Sequence, residues 1–167
     1  MAQTLIEHPN REKAGSKATK SIVILLLIAS AALITIVTVG GWSELQGAQP
    51  VAFAYIFLYI LMAFFVARWN RGVLPVAAAL AVLFAVVAAV AGPAWFERDK
   101  AGFDTSMLEP GILGLLTLIL VPVQVLLVAF AMRGFAQKWN VEVEIRRDDD
   151  YPPHAGGRGR NPQPAGV

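Results

Sequence analysis

The sequence predicts an all-α, polytopic membrane protein: a four-helix transmembrane bundle with disordered polar tails. Three observations predict it. Four long stretches of the 167-residue chain hold no charge, only 16% of residues are charged, and Lys and Arg gather almost wholly on one side of the implied membrane. A soluble domain carries about 25% charged residues. Lipid accepts backbone only where every polar group is paired internally, which a helix achieves within its own segment.

Residues 1–20 read as a cytoplasmic N-terminal tail, polar and carrying Arg11, Lys13, Lys17 and Lys20. The first span is 21–40, without a charge. At 1.5 Å per residue a run of that length crosses a hydrocarbon core of about 30 Å. A signal-peptide apolar core is only about 7–15 residues long. This run is longer, ends in Gly40-Gly41-Trp42 rather than a small-residue cleavage pattern, and precedes further spans. It therefore reads as a retained helix.

Pro50 opens the second span, 51–67, which is rich in aromatics: Phe53, Tyr55, Phe57, Tyr59, Phe64 and Phe65. Residues 68–72 form a tight basic turn, with Trp69 suited to the headgroup level. The third span, 73–94, tolerates Pro75 because the first helical turn has no intrahelical donor to lose. A polar loop over 95–109 carries Glu97, Arg98, Asp99, Lys100 and Asp104. The fourth span, 111–132, begins after Glu109-Pro110, where an acid complements the helix dipole. These spans make a transmembrane domain of 21–133.

Residues 134–147 read as a cytoplasmic juxtamembrane segment. Within it, 141–145 alternates apolar and acidic residues, as a short strand or an extended piece on the membrane surface would. It is too short to found a sheet alone. Residues 148–167, charged and then rich in Pro and Gly, are expected to be disordered. One arginine–glycine copy at 156–160 reads as solvated tail, so no nucleic-acid partner is expected.

Orientation follows from the basic residues of short flanking segments. With both termini in the cytoplasm, twelve of the 14 Lys and Arg lie inside and only Arg98 and Lys100 lie outside. The same arrangement sets Trp42 and Trp95 at the outer boundary and Trp69 and Trp139 at the inner one. The chain is expected in the cell membrane, multi-pass.

Lipid tails give helices no hydrophobic reason to associate, so close packing of small residues must supply it. The third span offers a candidate packing face: Ala77, Ala81, Ala85 and Ala89 recur every four residues, and Ala88 and Gly92 continue the strip. The partner is either a helix of the same chain or another copy.

Polar residues within the spans are few: Ser30, Thr35 and Thr38, Tyr55 and Tyr59, then Thr117 and Gln124. Intramembrane ionisable residues mark proton relays and ion pathways, and the spans hold no Asp, Glu, Lys, Arg or His. The candidate polar intramembrane site is Thr117, Pro122 and Gln124. Pro122 removes a donor and crowds the carbonyl of Leu118, which predicts a kink. Gln124 is a costly amide at mid-depth unless it is hydrogen-bonded. Two readings stand open. The amide lines a polar path, or it bridges neighbouring helices and holds the loosened backbone.

Other chemistry is missing. There is no cysteine, so thiol redox and thiolate metal sites are excluded. The only histidines, His8 and His154, lie in the tails, which leaves no axial haem ligand at depth. No clustered metal ligands and no phosphate-binding glycine loop are visible. No catalytic, cofactor-binding or metal-binding residue is therefore assigned, and no cofactor is expected. The acids Glu97, Asp99, Asp104 and Glu109 read as a solvated loop rather than an acid–base pair. The expected function is non-catalytic: a scaffold or accessory subunit of a membrane complex, whose partners are the bilayer and other membrane subunits or its own copies. The alternative is an oligomeric channel or small transporter with Gln124 and Thr117 lining a polar path.

Overall fold

A computed structural model of the chain describes residues 4–45, 47–98 and 106–146. Two compact units are distinguished, one containing residues 8–141 and the other the strands on either side of them.

The larger unit is the helical bundle. A one-turn helix, α1 (Pro9–Glu12), precedes α2 (Ala14–Gly40), α3 (Gln49–Ala67), α4 (Val73–Glu97) and α5 (Pro110–Ala136). Each of the last four is long and apolar enough to cross a membrane, and the protein is a multi-pass helical membrane protein. Consecutive helices run antiparallel. Thr19 near the start of α2 meets Gln137 just past α5, and Gly40 at the other end meets Leu108 and Leu113. We call the end holding the start of α2, the α3–α4 turn and the finish of α5 the proximal end. The opposite end is distal.

The helices overrun the expected spans. Helix α2 begins at Ala14, α4 continues through Pro93 to Glu97, and α5 reaches Ala136. Charge patterning marks where the hydrocarbon stops, not where the hydrogen-bond ladder stops. Twenty-seven residues, the length of α2 and of α5, reach about 40 Å at 1.5 Å each. That is about the bilayer's thickness with its headgroup layers included.

Helix α5 is central to the packing, lying against both α4 and α2, while α2 also packs on α3. Contact between α3 and α4 is sparse. The core is built from Val23, Leu27 and Ile34 of α2, Met62 and Val66 of α3, Ala77 and Ala81 of α4, and Leu120 and Leu127 of α5.

The proposed alanine face is only partly the packing face. Ala77, Ala81 and Gly92 are buried, Ala85 is half-buried and Ala89 is exposed. A helix turns every 3.6 residues, so a repeat of four drifts around its axis. Ala88, which continues the strip with Gly92, is buried, at 1% exposure. The partner of the strip is α5 of the same chain. A Cβ on Gly92 would meet Leu118 Cδ2 at 2.5 Å.

The proximal end closes on two tryptophans. Trp69 and Trp139 meet edge to face with centroids 5.3 Å apart, and Trp139 is fully buried. Trp139 lies over Gly134 and beside Leu74 rather than among headgroups. At the distal end Trp95 is likewise buried, under Gly41, while Trp42 is exposed. So all four tryptophans sit near helix ends, but Trp95 and Trp139 are spent on packing there.

Trp69 ends α3 in the left-handed conformation, at φ 62°. Its N–H donates to Val66 and that of Asn70 donates to Phe65, the paired bonds of a Schellman cap normally completed by glycine. Lys138, after α5, has φ 48°.

The smaller unit contains an antiparallel pair, β1 (Thr4–Glu7) with β2 (Val143–Arg146), in the register Thr4↔Arg146 to Glu7↔Val143. The alternation read over 141–145 therefore includes a strand, and its partner comes from the segment read as an N-terminal tail. Two short strands form only a marginal unit. Residues 148–167 lie outside the described residues.

Candidate functional site

Three helices each bring one polar side chain to the middle of the bundle. Tyr59 of α3 donates its hydroxyl proton to Gln124 Oε1 of α5 at 2.8 Å. Gln124 Nε2 donates to Ser30 Oγ of α2 at 2.9 Å. Ser30 in turn donates to the Leu26 carbonyl of its own helix at 2.7 Å. All three side chains are fully buried.

Each link has a local cause. Serine within a helix satisfies its hydroxyl proton on the carbonyl four residues back, which leaves its lone pairs for an incoming amide. Tyrosine carries an apolar ring with one polar tip, so it reaches the core and still needs a partner there. Here the ring lies against Tyr55 and Phe84 as well. Glutamine supplies one acceptor and two donors. Its acceptor takes Tyr59 and one donor goes to Ser30, so a single side chain ties α2, α3 and α5 together.

The three residues of the predicted intramembrane site do not form one place. Pro122 sits inside α5 but is exposed. Two residues along a helix is about 200° of rotation, so Pro122 and Gln124 lie on opposite faces. Gln124 is bonded to Tyr59 and Ser30, not to the backbone that Pro122 loosens. Thr117 is two turns away from Gln124 and buried, donating to the Leu113 carbonyl at 2.7 Å.

Thr117 lines a different feature: a cavity of about 130 Å³ in the distal half. Ile34 and Thr38 of α2, Leu120 of α5 and Ala88 of α4 form its floor, and Val51 and Val87 stand at its rim. Thr38, like Thr117, spends its hydroxyl proton within its helix, on Ile34 at 2.7 Å. The rim residues are more than half exposed while the floor is buried, so the cavity opens sideways where α3 and α4 part. Beyond it lies a more polar recess of about 220 Å³ that shares Leu45, Ala48, Ala91 and Trp95 with the cavity and ends on Glu44 and Arg98.

Of the loop acids, Glu97 and Glu109 are exposed, and Asp99 and Asp104 lie outside the described residues. Among the described residues no group of three metal-ligating side chains occurs. Sequence reading named Ser30, Tyr59 and Gln124 separately but missed their association, and it missed the cavity. The lone signal available was that these are the polar residues nearest the middle of three different helices.

The chain matches no family model, no curated protein and no solved structure.

Proposed function

We propose that this chain is a non-catalytic integral membrane protein, a scaffold or accessory subunit of a membrane complex, lying in the cell membrane with both ends of the helical bundle's chain on the cytoplasmic side. The observation that carries the reading is the state of Gln124. The one mid-depth amide is fully buried, and its oxygen and nitrogen are both engaged by side chains of the same chain. A group that served transport would need to face a water-filled path. The channel or transporter alternative thus loses the support of Gln124, and Thr117 alone does not make a polar path.

In this reading α3 offers the contact for a partner subunit. It is the least buried of the four long helices. Phe53, Phe57, Ile60 and Phe64 are each more than half exposed and recur at helical spacing along one side of it. Aromatic side chains are enriched at protein interfaces.

Purification in mild detergent followed by mass spectrometry tests the proposal. A stoichiometric membrane partner is expected, lost in Phe57→Ala/Phe64→Ala and kept in Val90→Ala on α4. A clean monomer with nothing co-purifying would overturn it.

A further inference from the structure

We propose that the cleft between α3 and α4 is a binding site for one membrane phospholipid whose headgroup carries a primary ammonium, with an acyl chain in the cavity and the phosphate on Arg98. The cleft has the polarity of such a lipid. Its deep part is walled by aliphatic and aromatic side chains and by Thr38 and Thr117, whose hydroxyl protons are held within their own helices, and its open side lies between Val51 and Val87. An apolar cavity of this kind stays dry and takes apolar guests. In a bilayer the apolar group at hand is an acyl chain.

The mouth supplies the other half. Arg98 lies over the Trp95 ring at 5.2 Å, and its Nη1 is 3.7 Å from Glu44 Oε2. Charge-assisted hydrogen bonds run to about 2.7–2.9 Å, so the pair is loose, and the Arg98 side chain is 40% exposed. Guanidinium presents a fork of donors that suits phosphate. The carboxylate beside it matches an ammonium that donates hydrogen bonds, which a quaternary ammonium lacks. Among the described residues one cation and one anion stand side by side at the end of an apolar slot, an arrangement that complements a zwitterionic headgroup better than an anionic one.

Native mass spectrometry of the full chain, titrated in mild detergent with phosphatidylethanolamine, phosphatidylcholine or phosphatidylglycerol of identical acyl chains, tests this. One phosphatidylethanolamine per chain is expected, held at least ten times more strongly than either other lipid. Ala91→Phe, which fills the slot, should abolish retention, and so should Ala48→Phe at its exposed rim, the variant to read if Ala91→Phe fails to fold. Arg98→Gln should weaken every phospholipid about tenfold, whereas Glu44→Gln should erase only the preference for the primary ammonium. Free glycerophosphoethanolamine should not displace the lipid; displacement would mean that the headgroup alone is bound. Equal retention of all three lipids, or retention unchanged in the slot-filling variants, would overturn the assignment.

Discussion

The side-chain amide of Gln124 donates to the hydroxyl oxygen of Ser30 across 2.9 Å, joining residues 94 positions apart in the chain. On its other side the same amide accepts from Tyr59, 65 positions away. In lipid the backbone of each helix is already satisfied, so such side-chain bonds are among the few directional forces between helices. Gln124→Leu removes both and leaves the Tyr59 hydroxyl buried without its acceptor. Unfolding in detergent should show a loss of about 1–2 kcal/mol. A double-mutant cycle with Tyr59→Phe should give a coupling between about 0.6 and 1.7 kcal/mol, the average and the upper limit for interhelical hydrogen bonds in membranes. Strict additivity would mean that the bond does not hold the bundle together. Ion or solute flux through proteoliposomes should be the same for wild type and Gln124→Leu.

Gly92 and Leu118 set how closely α4 approaches α5. A Cβ at 92 would lie 2.5 Å from Leu118 Cδ2 and 2.7 Å from Cγ, so Leu118 must turn away or the helices must part. Gly92→Ala is expected to cost about 1–3 kcal/mol, as overpacking does. In a Leu118→Ala background the space exists, and alanine's better helix propensity, about 1 kcal/mol over glycine, should make the same change neutral or stabilising. A sign that stays unfavourable in both backgrounds would show that Leu118 is not the obstacle.

The alanine strip separates what the sequence could tell from what it could not. Span number, order and apolar extent were legible because each depends on composition over about twenty residues. The packing side of a helix depends on rotation, and a repeat of four assigned to a 3.6-residue turn drifted until Ala89 faced outward. In the same way Ser30, Tyr59 and Gln124 were visible as polar residues, but their meeting needed the relative rotation of three helices, which no local pattern supplies. Expected stabilities follow. Ala81→Leu, at 0% exposure, should destabilise by about 1–3 kcal/mol through overpacking. Ala89→Leu, on the exposed side, should change stability by less than about 0.5 kcal/mol. Equal effects at the two positions would contradict the observed rotation of α4.

Left-handed backbone at Lys138 and Trp69 gives opposite expectations for one substitution. Non-glycine residues pay about 1–2 kcal/mol for that conformation. Lys138 is exposed, so Lys138→Gly should relieve the backbone and gain about 0.5–1 kcal/mol after the added freedom of the unfolded chain is offset. The Trp69 ring instead meets Trp139 at 5.3 Å and carries the Lys20 ammonium 4.2 Å from its centroid. Trp69→Gly should therefore be a net loss, by about 2 kcal/mol or more, because aromatic burial and the cation contact outweigh the relief. Both can be read from the same denaturation series.

The absence of native cysteine makes the membrane orientation directly measurable, because any introduced thiol is unique. Ser43 lies in the α2–α3 connection and Ser106 just before α5, both at the distal end; Asn70 lies in the α3–α4 turn at the proximal end. Their flanks carry opposite electrostatic character. Twelve of the 14 basic residues belong to the proximal turn, to the start of α2 and the end of α5, or to the segments before and after them, and basic flanks of this kind stay on the cytoplasmic face. Ser43→Cys and Ser106→Cys should thus react with an impermeant maleimide in intact cells, and Asn70→Cys only after permeabilisation. Because four helices return the chain to its starting side, a reagent that reached 43 and 70 alike from outside would require one helix to fail to cross. Labelling of 70 alone would invert the bundle and place the Arg98–Glu44 mouth of the cleft on the cytoplasmic face.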